Sequence, residues 1–198
     1  WVMSHYYGSG PSIMVQDNFN NANDALNDDP WVHVREKWQA SSEEERKEMG
    51  AIVSEYQSFW NGHTDEMRRI DWENNHVYSE EADFNSNFIL VIGKYNTSGN
   101  QQEMGQAYHD WVTVPAVESG VALAGNFSFH LTGSGPDVMV ANAYASMHEF
   151  ATGLEGATSE TSDARRKFWS LVEGDHEDQI LIHQGHIING KFVRANSN

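Results

Sequence analysis

The feature that most constrains this chain is a block of sequence written twice. Residues 5–15 read His-Tyr-Tyr-Gly-Ser-Gly-Pro-Ser-Ile-Met-Val and residues 130–140 read His-Leu-Thr-Gly-Ser-Gly-Pro-Asp-Val-Met-Val, with seven of eleven positions identical and no gap. A match of that quality puts internal repetition ahead of any reading of local structure. Further on, Tyr56-Gln-Ser-Phe-Trp-Asn-Gly62 aligns with Phe168-Trp-Ser-Leu-Val-Glu-Gly174, and each is followed by a short acidic stretch with a histidine, His63-Thr-Asp-Glu66 and Asp175-His-Glu-Asp178. The offsets are 125 and 112, so the second copy is 125 − 112 = 13 residues shorter between the blocks.

The second copy gives the clearer succession of elements. Asn87–Tyr95 is a short apolar run rich in branched residues, the mark of a buried strand. Asn100 and Glu103 have capping-box spacing, and Met104, Tyr108 and Trp111 recur at helical spacing until Pro115, which is expected to stop the helix. Ala122–Leu131 alternates, with Leu123, Phe127, Phe129 and Leu131 on one face and Asn126, Ser128 and His130 on the other. Gly133-Ser-Gly-Pro136 makes a turn into a returning strand, Asp137–Tyr144. A helical stretch over roughly 146–173, broken near Gly153–Thr161, leads to a last strand, Gln179–Ile188, and Asn189-Gly190 turns it towards Lys191–Arg194.

That order, β-α-β-β-α-β, is the ferredoxin-like arrangement. The first copy enters partway through it, at the strand Trp1–Tyr7, which aligns with a strand beginning near Asn126. Since the second copy begins near Asn87, the missing part is 126 − 87 = 39 residues, a strand and a helix. The expected organisation is a first ferredoxin-like repeat over 1–78, N-terminally incomplete, a polar linker over 79–86, and a second repeat over 87–198.

The stretch Tyr108-His-Asp-Trp-Val-Thr-Val-Pro115-Ala-Val-Glu-Ser-Gly120-Val resembles the dimeric α+β barrel superfamily, in which the first helix ends in an aromatic–acid–His–x–Pro pattern before a glycine that opens the second strand. The resemblance spans 87–188 by element order and about a dozen positions by motif. It implies an α+β fold in which two ferredoxin-like units pair their sheets around a pocket, here as tandem units forming a single-chain α+β barrel. The superfamily includes monooxygenases of antibiotic biosynthesis, ether-degradation accessory proteins, muconolactone isomerases and chlorite dismutases, so the fold leaves the chemistry open. Where the family frequently has a histidine, two residues before the proline, this chain has Thr113.

Composition removes several function classes. With 12 Lys and Arg against 29 Asp and Glu the net charge is −17, which argues against nucleic acid and anionic membranes as partners. No apolar run approaches the roughly 20 residues of a membrane span. The absence of cysteine excludes disulfides, thiolate catalysis and Cys-ligated metal centres. The chain opens on Trp1, so a leader removed on export to the periplasm or the extracellular space is one expectation and a cytoplasmic fragment the other.

His5 and His130 hold equivalent strand positions on the face away from Phe127 and Phe129. If that face lines a barrel, Tyr7, Asn126 and Ser128 join the two imidazoles as a ligand-binding set, and a neutral histidine there serves as general base or metal ligand. The competing reading ties each histidine to its own Gly-Ser-Gly-Pro turn by a hydrogen bond. Gly-Ser-Gly-Pro lacks the lysine and following helix of a phosphate loop and reads as a β-turn. His183-Gln-Gly-His186 has ligand-type residues, but three is an odd spacing on a strand, and the side chains meet only if the strand bulges at Gly185; no metal is assigned. The run Asp17–Asp29 lacks the glycine and spacing of a Ca²⁺ loop, and Ser42–Trp60 reads as a helix with an acidic first turn.

Two functions of different class follow. One is a small-molecule-binding or assembly protein without assured catalysis, its partners a small apolar ligand or another protein chain completing the first sheet. The other is a cofactor-independent monooxygenase- or isomerase-like enzyme acting on a small apolar substrate between the sheets. No motif identifies a cofactor.

Overall fold

The computed structural model describes residues 1–80, 82–159 and 162–196. In chain order the elements are β1 (Val2–Gly8), β2 (Ile13–Val15), α1 (Ala22–Asn27), α2 (Val32–Ala40), α3 (Glu43–Phe59), β3 (Glu66–Arg69), β4 (His76–Tyr78), β5 (Ile89–Thr97), α4 (Gln101–Tyr108), a π-helical turn (His109–Thr113), α5 (Val114–Glu118), β6 (Ala124–Gly133), β7 (Val138–Tyr144), α6 (Met147–Ser159), α7 (Asp163–Leu171), β8 (Val172–Ile188) and β9 (Lys191–Arg194). They fall into two compact units: Trp1–Gln16 with Asp65–Asn198, and Asp17–Thr64.

The larger unit is α+β, and its strands make one curled, antiparallel nine-stranded sheet. Its path runs β2-β1-β8-β5-β7-β6-β3, with β4 also on β6 and β9 also on β8. In place of two facing sheets, the strands join edge to edge. The link is β8, which pairs with β5 on one side and with β1 on the other. Edge pairing satisfies backbone groups that two separate sheets would leave exposed.

Both sheet faces are apolar, as strand alternation requires of a sheet covered twice. One face packs under the helices: Tyr95, Phe127, Phe129, Val138 and Val140 meet Met104, Trp111 and Phe168. The other carries Met3, Phe88, Ile92, Ala124, Ala141, Ala143 and Leu181 as a second buried cluster. Around Asn189 (φ 51°) and Gly190 (φ 74°) the chain makes the tight hairpin expected of that dipeptide.

Pro115 does not end the helix. The chain widens into the π-helical turn at His109–Thr113, and Pro115 takes the first turn of α5, where its missing N–H costs nothing. Just before the polar linker stands β4, which pairs with β6 from Ala124 to Asn126. The expected helix break near Gly153–Thr161 falls after Ser159; Glu160 and Thr161 lie outside the described residues, and Gly153 and Gly156 are inside α6.

The pairing of the two halves matches residue for residue. Val2↔Val15, Met3↔Met14 and Ser4↔Ile13 correspond at offset 125 to Phe127↔Val140, Ser128↔Met139 and Phe129↔Val138. Gly8 opposes Gln179 and Gly133 opposes Glu66, and each ladder then skips one residue, Tyr6 in the first and Leu131 in the second. By that register the later block is offset by 179 − 66 = 113, one residue from the 112 that sequence alignment suggests.

The smaller unit is helical. Asn21 caps α1, and Ser42 and Glu45 close a reciprocal capping box on α3. Tyr56 joins the aromatic series from Trp31 (5.8 Å) to Trp60 (5.5 Å), and Arg46 donates to the carbonyls of Trp38 and Gln39, closing off the end of α2.

Candidate functional site

Each repeated histidine is bonded within its own turn. His5 Nε2 lies 3.1 Å from the Gly8 carbonyl oxygen, and His130 Nε2 lies 3.1 Å from that of Gly133. The backbone does the same thing twice: His5 N donates to Ser12 O at 2.9 Å and His130 N to Asp137 O at 3.1 Å. The strands that carry the imidazoles are four steps apart in the sheet, about 19 Å along it at the usual strand spacing. Tyr7 is exposed, whereas Ser128 is fully buried.

Ser128 is held by a residue that sequence reasoning passed over. Arg68, on β3 opposite His130, donates from Nε to Ser128 Oγ (2.9 Å) and from Nη2 to Ser128 O (3.0 Å). It also donates to the carbonyls of Pro136 (3.0 Å) and Asp137 (3.3 Å) and pairs with the Glu66 carboxylate. Burial pushes the guanidinium below its ordinary pKa, and Glu66 pulls it back. The fork therefore locks β3, β6 and the Gly-Ser-Gly-Pro turn together. In the matching register of β8, Leu181 stands where β3 has Arg68.

The histidines at 183 and 186 do meet. Gly185 (φ 152°) lies at an irregularity where β1 pairs with Gly185 and then His183. The two rings stack 5.4 Å apart, with His186 Nδ1 3.4 Å from His183 Nε2, while His183 Nδ1 faces the Ser86 carbonyl at 3.1 Å. Trp1 and Phe88 flank the pair. Burial holds His183 below the ordinary histidine range, with the neighbouring His186 a smaller cause. Among the described residues no group of three His, Cys, Asp or Glu gathers as metal ligands.

A second polar group surrounds the Gly125–Phe127 stretch of β6 on the helix side. Asn75 accepts Phe127 N through its backbone carbonyl (3.2 Å), the His109 ring sits 5.6 Å from that of Phe127, and Thr113 and Asn142 close over Gly125, which has no room for a Cβ. All four side chains are buried. Among the described residues, both amide atoms of Asn75, both ring nitrogens of His109, Thr113 Oγ1 and Asn142 Oδ1 lack a hydrogen-bond partner. Asn142 does donate to Tyr108 OH at 3.3 Å, and the nearest acid to His109, Asp110, stands 3.9 Å away. Burial depresses His109 and pushes Tyr108 up. Buried atoms without partners are costly, and π-helical turns recur at functional sites. One signal was legible: Asn142 interrupts the apolar strand Val138–Tyr144.

No protein-family model, curated protein or solved structure matches the chain.

Proposed function

We propose that the chain is a non-catalytic binding or assembly protein, its larger unit an internally duplicated ferredoxin-like frame of the dimeric α+β barrel kind. The strand order β8-β5-β7-β6 and the pairing shared at offset 125 support the duplication. The observation that carries the functional reading is the pair of identical 3.1 Å contacts from His5 and His130 to their turn carbonyls. Imidazoles held in this way brace their turns through Nε2, which leaves only Nδ1 of each for any other role. The face they share also packs on itself: Met3, Ile92, Leu181 and Ser128 are buried by their own neighbours. Thr113 at the family's histidine position points the same way.

The test is His5→Ala and His130→Ala, read by chemical melts and by a thermal-shift screen of small apolar molecules. Each variant is expected to lose about 1 kcal/mol and to keep every hit of the parent. Variants of unchanged stability that lose a hit would overturn the reading. The unpartnered atoms of Asn75, His109, Thr113 and Asn142 favour a second reading, a small polar ligand held beneath the π-helical turn. Loss of a polar hit in Thr113→Val, with stability kept, would establish it.

A further inference from the structure

We infer that the outer edges of β2 and β3 form a receptor slot for one extended strand with a following helix, a segment of the same kind as β5 and α4. This rests on the assembly reading above. The order of strands carries it. Residues 87–188 arrange their four strands, numbered along the chain, as fourth-first-third-second: β8-β5-β7-β6. The pairing equivalences make β1, β2 and β3 the second, third and fourth strands of the other copy. The same rule applied to that copy reads β3, first strand, β2, β1. One strand therefore belongs between β3 and β2, and these are the two ends of the observed path. Seven strands lie on that path, and one more makes a closed circuit of eight, a size whose interior side chains can fill.

The edge chemistry agrees. Ser12, Met14 and Gln16 are the residues of this arm in register to bond β1, since His5 N donates to Ser12 O and Gln16 N to Trp1 O. The N–H groups of Ile13 and Val15 thus point outward, and among the described residues no strand pairs with them. Side-chain exposure marks the same vacancy of contacts. Ile13 is 58% and Val15 46% exposed, whereas their equivalents Val138 and Val140, which lie beside β5 and under α4 and α7, are 0% and 1%. β2 carries no proline or charged side chain to discourage pairing. The occupant's chemistry follows from β5: apolar on both faces, antiparallel to both neighbours, and followed by an amphipathic helix that covers Ile13 and Val15.

The probe is segment 85–119 of this chain, β5 with the helices after it, fused to a soluble carrier and titrated into the full chain by calorimetry. One equivalent should bind the parent and Val15→Ala alike, Val15→Pro should bind about tenfold more weakly, and hydrogen exchange at Ile13 and Val15 should slow on binding. No binding to the parent overturns the slot, as does binding that Val15→Pro leaves unchanged with Ile13 and Val15 unprotected. If Val15→Pro fails to melt cooperatively, protection of those two amides in the parent decides alone. The assembly reading is judged by the His5→Ala and His130→Ala melts, so the two failures appear in different measurements.

Discussion

Gly10 and Gly135 stand at the same place in their two turns, and neither leaves room for a Cβ. The Gln179 side chain lies where that of Gly10 would be, and the Glu66 carboxylate where that of Gly135 would be. The repeated Gly-Ser-Gly-Pro is thus a lid over one polar side chain in each copy. Gly10→Ala, which also needs a φ of 124°, is expected to cost about 1–3 kcal/mol in urea melts, and Gly135→Ala, which displaces only the end of the Glu66 side chain, about 1 kcal/mol or less. Gly135→Ala also presses Glu66 off Arg68, so its cost combined with Glu66→Ala should be clearly less than the sum of the two. The histidine-to-turn bond was legible as one of two readings, because histidine and turn repeat as a block. Arg68 was not, because it lies outside the matching blocks and all its partners but Glu66 are 60 or more residues away in sequence.

Among the elements, the strands were readable from their period of two, which a sheet buried on both faces blurs but does not erase. The π-helical turn was not, since Pro115 signals a helix end and a widened turn has no side-chain period of its own. Its polar lining gives two predictions. Thr113→Val exchanges an unpartnered buried hydroxyl for a methyl group, and should be neutral or stabilise by up to about 1 kcal/mol in chemical melts. A loss instead would mean that the hydroxyl holds a partner. The second concerns pH. His76, His109 and His183 are all held below the ordinary histidine value, chiefly by burial. Unfolded histidine titrates near 6.5, so between that value and the depressed folded values the unfolded chain binds more protons. Stability therefore falls as pH drops below about 6.5, and His109→Gln should flatten that dependence. The depressed carboxylates Asp29, Glu45, Asp71 and Asp83 act in a separate window, because unfolded carboxyls begin to protonate only near pH 4.

At the scale of the whole molecule, the repeat at offset 125 announced β1, β2 and the turn between them, and the shared register extends it to side chains that no longer look alike. The later block was displaced by one residue in alignment because its acidic stretches match loosely, and only strand pairing resolves 113 from 112. The helical unit of residues 17–64 was not foreseen as separate, since its helices lie where the second copy also has helices and so read as part of the repeat. Equivalence in register makes a transplant possible. Glu66 and Gln179 occupy matching places, and so do Arg68 and Leu181, and Ser128 and Met3. Gln179 is buried, with its Nε2 donating to the Pro11 carbonyl at 3.4 Å, so Gln179→Glu alone buries a carboxylate without a cation and should cost about 3–5 kcal/mol. Leu181→Arg alone leaves a guanidinium in the apolar cluster of Met3 and Ile92 and should cost as much. If the two halves share one geometry, Met3→Ser, Gln179→Glu and Leu181→Arg together rebuild the fork that Arg68 makes with Glu66, Ser128 and the Pro136 carbonyl. The triple variant should then be more stable than the sum of its parts by at least about 2 kcal/mol in urea melts. Simple additivity would mean that the matching registers do not extend to the side chains, and the case for duplicated architecture would rest on backbone pairing alone.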